Sequence, residues 1–463
     1  MSDHLTHKSA TELIALMRAR KTSPVEVVEA HLRRIDDVNP SLNAIVTIAD
    51  DALDRAREAE AALMNSKDVG ALHGLPITIK DTIDTKGLRT TYGSRMRAEH
   101  LPDRDATVVA RLKAAGAIIL GKTNTPEMAI PYQTDNPVFG RTNNPKNLLM
   151  TPGGSSGGEA AAIAAHLSPA GIGSDLSGSI RVPAHFCGTA GLKPTTGRVP
   201  MDGHVPSAAG ALSLGACIGP MARRIADLEL LFDVVAQTAE AKPVHLDQMR
   251  SSRVAFYVND GIAPVTDETA EAVRSAARLL HDAGFDVREE RPPGISEGSR
   301  LWIELFADAA RQQLREFYRE RGDEAGPLVS VMLGHENESA SFEEKVDTAE
   351  RRAKAVVQRE RLREELLHWM KQTPLILAPV GATPAFEHGA KRIDIKGKSI
   401  SVFRAFSYSQ TFNVFGLPAV VVPIARTKDG LPIGVQMVGP PFAEEEVLAA
   451  AKTIEAACQY RER

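Results

Sequence analysis

Gly153-Gly154-Ser155-Ser156-Gly157-Gly158, followed by Gly173-Ser174-Asp175-Leu176-Ser177-Gly178-Ser179-Ile180-Arg181, decides how this chain reads. Upstream, Leu75-Pro76-Ile77-Thr78-Ile79-Lys80-Asp81 carries an apolar run into a lysine. Glycines beside a serine let backbone N–H groups approach a substrate closely, because no side chain intervenes. The N–H groups of Leu176, Ser177, Gly178 and Ser179 would converge as an oxyanion hole. Two Gly/Ser loops and a lysine at the end of a buried strand can form a serine nucleophile activated by lysine, without histidine. That chemistry is acyl transfer, most simply hydrolysis of an amide-type bond.

Each element also has a plainer reading. Either loop alone is equally a tight turn feeding a helix. A phosphate cradle needs Gly-Lys-Ser/Thr at its end, but Gly158 is followed by Glu159, an acid that repels an anion at a helix start. Gly154 to Gly158 also fits the G-x-S-x-G nucleophile elbow with Ser156 as nucleophile, yet the preceding residues 143–152 make a poor strand. An average lysine is a solvated charge. Lys80 ends an apolar run, so its stem is expected to be buried, and burial lowers the pKa of an ammonium. His73, His166 and His185 read as structural or surface residues. Asp175 and Arg181 bracket the second loop and are expected to pair as its scaffold, since single buried charges are costly. Substrate binding is the alternative for Arg181.

Working outward, the segments read as α/β. Ser9-Ala10-Thr11-Glu12 and Ser23-Pro24-Val25-Glu26 fit capping boxes, the second opening a helix that stops near Asn39-Pro40. A further helix is expected from Ala49 to Met64. Helix Thr107 to Ala115, Gly116 and strand Ala117 to Lys122 give the helix–glycine–strand pattern of layered α/β proteins. A strand–helix–strand unit follows Val254, then a long charged helical stretch from Ser299 to His368. Strands return at Leu375 to Pro379 and Ala419 to Pro423. Four segments are expected: an N-terminal helical segment (1–70), a core with the serine loops (71–238), a variable αβ and helical cap (239–373), and C-terminal strands and helix completing the core (374–463).

With 463 residues, 43% of them hydrophobic and 25% charged, the chain has the make-up of a globular protein with a large core. A net charge of -4 gives no drive toward nucleic acid. The three cysteines (Cys187, Cys217, Cys458) are too few for a disulfide framework, and none has zinc-ligand spacing, so neither metal nor other cofactor is expected. Residues 1–8 lack an apolar signal core, and no apolar run nears the roughly 20 residues that span a bilayer. The expectation is therefore a cytoplasmic location without membrane or nucleic-acid partners; a homodimer is the candidate assembly.

Lys80, the Gly153–Gly158 run and Ser179-Ile180-Arg181 together resemble the amidase signature family. The resemblance runs from about Leu72 through Gln237 and again from Leu375 to Glu455. It includes Gly121-Lys122-Thr123-Asn124-Thr125-Pro126-Glu127, Phe186-Cys187-Gly188, Gly191-Leu192-Lys193-Pro194-Thr195, Gly219-Pro220-Met221-Ala222-Arg223, Gly416-Leu417-Pro418-Ala419, and Gly430 to Gln436. The resemblance implies a large mixed sheet flanked by helices and a Ser–cisSer–Lys triad. Ser179 would be the nucleophile, Ser155, after a cis peptide, the proton relay, and Lys80 the base. Ser156 would support them from behind. One departure stands out: the family has two glycines before the nucleophile, and this chain has Ser177-Gly178.

The resemblance also implies that the segment after Glu127 and the helical middle line the acyl pocket. Met128, Ile130, Pro131 and Tyr132 are expected from the first, Trp302, Leu305 and Phe306 from the second, and Phe403 and Phe406 from the other side. Such a lining suits small aryl or alkyl amides, with carbamates (urethanes) and esters alongside. One alternative is the glutaminase component of a tRNA-dependent amidotransferase, which needs partner subunits and an arginine clamp, for which Arg311 and Arg315 are the candidates. The other is an inactive binding protein on the same scaffold, which the intact Lys80, Ser155 and Ser179 argue against.

Overall fold

The computed structural model describes residues 3–65, 69–130, 132–237, 252–334 and 342–458. Pro131 and the boundary expected between 238 and 239 lie outside them. An 11-stranded mixed sheet forms the core. Its first half comprises β1 (Ile45–Ile48), β2 (Pro76–Lys80), β3 (Ile118–Thr123), β4 (Ala170–Asp175), β5 (Ala190–Lys193) and β6 (Cys217–Ala222). The middle of the chain adds β7 (Arg253–Phe256) and β8 (Asp286–Glu289). The last part adds β9 (Leu375–Pro379), then, after a separate hairpin of β10 (Arg392–Ile395) and β11 (Lys398–Ser401), β12 (Ala419–Arg426) and β13 (Pro432–Val438). The spatial order is β1-β3-β2-β4-β6-β5-β12-β13-β9-β7-β8.

β2 lies between two parallel neighbours, β3 and β4, and every residue of it is buried. A strand covered on both faces reads as a continuous apolar run, which is why Leu75 to Ile79 was legible. In β12 and β9 the side chains alternate between two cores. Val420, Val422, Leu375 and Leu377 join one, and Ala419, Val421, Ile376 and Ala378 the other. The first core is completed by helices Ile225–Ala236, Asp267–Asp282 and Glu444–Ala457, the second by Arg181–Cys187 and Ser407–Val414.

Both capping boxes form as the sequence indicates. Elsewhere boundaries moved. The helix from Pro24 passes Pro40 and ends at Leu42, capped by Asn43 in a left-handed conformation. The Asn39 carboxamide oxygen accepts from the N–H groups of Ala44 and Ile45, both at 2.9 Å, so the stop is shifted by part of a turn. The helix expected from Ala49 begins at Ala52, because Ile45–Ile48 is the antiparallel edge strand β1. The charged stretch after Ser299 breaks into helices Gly298–Trp302, Asp308–Phe317, Pro327–Gly334 and Phe342–Met370, the first two joined by a wide π turn at Ile303–Ala307. No helix among the described residues is long and apolar enough to cross a membrane.

Candidate active site

β2 and β4 run in parallel, with Thr78 opposite Gly171 and Ile79 opposite Ile172, so their C-terminal ends lie side by side. Lys80 ends β2 and Asp175 ends β4. The loop before the buried helix Gly157–Ala164 crosses these ends, with the Gly154–Ser155 peptide in the cis form. Two strands and one loop thus bring residues 80, 155 and 174–179 together.

The Lys80 ammonium position is wholly buried, and Nζ lies 2.6 Å from Ser155 Oγ and 3.0 Å from Ser174 Oγ. Burial pulls its pKa down to about 7, against the opposing charges of Asp175 and Glu159. Lys122, at the end of the neighbouring strand, makes an instructive contrast. It too is buried, yet it donates to the Ile83 carbonyl, to Thr90 Oγ1 at 2.9 Å and to Thr85 Oγ1 at 3.2 Å. A carbonyl only accepts, so Lys122 is held as a donor. The partners of Lys80 are hydroxyls, which can donate as well as accept, and this leaves Lys80 able to take a proton.

Glu159, from the first turn of the buried helix, sits beneath Lys80. It accepts from Thr78 Oγ1 and from Thr123 Oγ1 at 2.8 Å, and burial raises its pKa to about 7. Gly171 is glycine for room: a Cβ there would lie 2.0 Å from Glu159 Oε1.

The second loop is organised by Asp175. Its carboxylate accepts from the N–H groups of Gly178 at 2.8 Å and Ile180 at 3.1 Å, and pairs with the buried Arg181 at 3.0 Å. Burial would raise the Asp175 pKa, but the Arg181 charge and hydrogen bonds outweigh it and hold the carboxyl well below the usual range. Arg181 also reaches Gln436 at 2.9 Å and Asn413 at 2.6 Å, so it is a scaffold residue remote from any substrate role. One expectation is corrected here. Asp175 takes the Gly178 N–H, so that group is removed from the expected oxyanion donors.

Ser156 donates its N–H to the Ser179 carbonyl at 3.1 Å, and its hydroxyl packs on the Ser174 backbone at 3.3 Å. It is fully buried and no strand leads into its loop, which overturns the elbow reading.

Ser155, Ser174 and Ser179 open onto a cavity of about 550 Å³. Met128, Ile130, Tyr132, Trp302 and Phe403 all line it, while Leu305, Phe306 and Phe406 do not. Those three are fully buried behind the wall, Phe406 stacking on Tyr132 with ring centroids 4.6 Å apart. The Tyr132 hydroxyl donates to the Ser177 carbonyl at 3.0 Å, a contact that a serine or a glycine at 177 makes equally well. Arg311 lines the cavity but is paired with Asp308 at 2.9 Å. Of the histidines, His185 is structural, bridging the Thr383 carbonyl at 3.1 Å and the Gly434 N–H at 2.7 Å. His204 was not singled out by the sequence, yet it lines the cavity 2.8 Å from Ser174 Oγ. It comes from a loop with no motif, which an isolated bridge between Ile83 and His204 and hydrogen bonds from Thr107 to Asp202 bring here. No group of three or more His, Cys, Asp or Glu that could hold a metal occurs among the described residues.

Comparison with known proteins agrees with this geometry. The chain is 38% identical to the A subunit of glutamyl-tRNA(Gln) amidotransferase from Roseiflexus sp. (strain RS-1), covering 96% of this chain and 94% of that protein. It is 33% identical to an acylamidase of Rhodococcus erythropolis, over 97% of this chain and 95% of the other. Among solved structures, a bacterial aryl acylamidase of the amidase signature enzymes superposes with a TM-score of 0.85 at 27% identity, covering 98% of this chain and 96% of that one. The family model described as Amidase matches residues 26–448, a span that holds the lysine strand, both serine loops and the strands that brace them, and the chain therefore belongs to the amidase family, an enzyme acting on amide C–N bonds.

Proposed function

We propose that this enzyme is a serine amidohydrolase of small apolar or aryl amides, working through an acyl-enzyme on Ser179. The observation that carries the reading is the cavity wall of Met128, Ile130, Tyr132, Trp302 and Phe403 above a floor of Ser155 and Ser179. An apolar cavity with a few convergent polar groups selects a largely apolar substrate.

The proposed steps start from the hydrogen bond between Lys80 and Ser155. Neutral Lys80 takes the proton of Ser155 across their 2.6 Å contact, and Ser155 takes that of Ser179 as its Oγ attacks the substrate carbonyl. The N–H groups of Leu176, Ser177 and Ser179 receive the developing oxyanion. The C–N bond then breaks, and the proton returns from Lys80 through Ser155 to the leaving amine. Water attacks the Ser179 ester through the same relay and releases the acid. Carbamates and esters fit the same sequence, differing only in the group on the acyl carbon or the leaving atom.

A second reading has one observation in its favour: several relatives over 30% identical along nearly their whole length are glutamyl-tRNA(Gln) amidotransferase A subunits. A glutamine carboxylate would need a cation in the cavity; Arg311 there is engaged by Asp308, and Lys391 is a second lining cation. The test is a fluorophosphonate label mapped by mass spectrometry, with rates on a nitroanilide and on glutamine. Label on Ser179 and anilide turnover without any partner are expected. Turnover of glutamine alone, rising when partner subunits are added, overturns the preference; label on another serine overturns the nucleophile.

A further inference from the structure

His204 touches the lysine only through Ser174, and the hydrogen bonds fix the direction of every proton between them. Its Nδ1 lies 2.9 Å from the Pro206 carbonyl, which only accepts, so Nδ1 carries the ring proton. In the neutral ring, Nε2 is then an acceptor. Nε2 has one lone pair, and of the two hydroxyls that face it, Ser174 Oγ at 2.8 Å and Thr82 Oγ1 at 3.2 Å, the nearer, Ser174, donates to it. With its proton committed to His204, Ser174 Oγ meets Lys80 Nζ, 3.0 Å away, as an acceptor alone.

We propose that His204 is a positioning residue for catalysis: through Ser174 it fixes one N–H of Lys80, so that the amine lone pair faces Ser155. The inference rests on the reading of Lys80 as the base. Without His204, the Ser174 hydroxyl is released to donate to Lys80. It then competes with Ser155 for the lone pair and stabilises the neutral amine. Burial together with the Lys80 charge holds the ring pKa down to about 4, so the ring stays neutral wherever Lys80 titrates. The other charges facing the network are Asp175 at the end of β4 and Glu159 on the buried helix, both favouring the Lys80 ammonium. All the variants below keep both.

The experiment is a pH series of kcat and KM on a nitroanilide for the wild type, His204→Leu, His204→Gln, Ser174→Ala and the His204→Leu/Ser174→Ala double variant. His204→Leu is expected to lower kcat about tenfold, roughly the worth of one hydrogen bond. KM stays unchanged, and the acid limb moves to lower pH. Gln, whose carbonyl accepts the Ser174 proton, restores most of both. The double variant is expected to be no slower than the slower single one, because the two residues act as one chain. A wild-type limb and kcat in His204→Leu, a rise in KM alone, or effects that multiply in the double variant would each overturn the proposal. If His204→Leu does not fold, the Gln and Ser174→Ala variants decide: a kcat and limb for Ser174→Ala equal to wild type overturn it. Ser179→Ala run alongside separates the two levels. An active Ser179→Ala overturns the serine mechanism and this inference with it, whereas a dead Ser179→Ala beside a wild-type-like His204→Leu overturns the role of His204 alone.

Discussion

The indole Nε1–H of Trp302 donates to the Leu176 carbonyl at 2.8 Å, tying the helix Gly298–Trp302 to the loop that carries Ser179. The same ring packs edge-on against Phe403, with centroids 5.1 Å apart, so one side chain both shapes the cavity and braces the loop. Trp302→Phe keeps an aromatic wall and removes the brace. It is expected to lower kcat about five- to tenfold, the scale of one hydrogen bond, with little change in KM. Trp302→Ala removes both and is expected to raise KM for an aryl amide as well. Steady-state kinetics of the two variants check this.

Lys80 should set the acid limb of activity. The working form of a base is the neutral amine, and burial brings the Lys80 pKa to about 7, so kcat/KM is expected to rise as pH rises through that value. Lys80→Ala should cost about three orders of magnitude and abolish that limb in whatever rate remains. A limb unchanged in the variant contradicts the role.

A methyl group at Gly178 has no room. The residue has a φ of +107°, and a Cβ would lie 2.7 Å from Ser409 Cβ on the helix behind it. Gly178→Ala is expected to displace the loop and cut kcat/KM about a hundredfold or more, in line with loss of one oxyanion donor. Circular dichroism and the Tm should change far less than the rate.

Asp175 and Arg181 make a wholly buried pair, and removing one partner strands the other charge. Asp175→Asn is expected to cost about 3–5 kcal/mol in urea unfolding at neutral pH. The sign with pH follows from linkage. Asp175 has a lowered folded pKa, so its contribution is present above the unfolded carboxylate range, near about 4, and is lost as pH falls toward the folded value. The stability gap between wild type and variant should therefore be flat above pH ~4 and shrink below it.

Much of this site was legible because its signals are local. A buried parallel strand such as β2 must be apolar throughout, so the lysine at its end was conspicuous. Loops that need close backbone approach must carry glycine, as at 178. What was hidden is what the fold brings from a distance. Ser174 looks like any strand residue until β4 lies against β2 and its hydroxyl meets Lys80. His204 sits 30 residues from Ser174 in a loop of no distinctive composition. The engagement of the Gly178 N–H was hidden for a related reason: which N–H Asp175 takes depends on loop geometry, which no spacing rule supplies. Phe406, Leu305 and Phe306 are aromatic or apolar, as a pocket wall requires, but periodicity cannot tell the cavity side of a wall from the core behind it.

The strand order has a consequence for how the enzyme comes to exist on the ribosome. β5 finds its partner β12 only after residue 421 has emerged, and β7 waits for β9 beyond residue 375. Arg181, which secures the serine loop, needs Asn413 and Gln436. Lys80, Ser155 and Ser179 are all synthesised in the first 179 positions, yet Arg181 lacks its two distant partners until the final stretch of chain is inserted into the middle of the sheet. Such long-range closure is slow and leaves unfinished sheet edges exposed. A nascent or truncated chain would thus carry Lys80, Ser155 and Ser179 on a sheet still missing the strands that complete its centre.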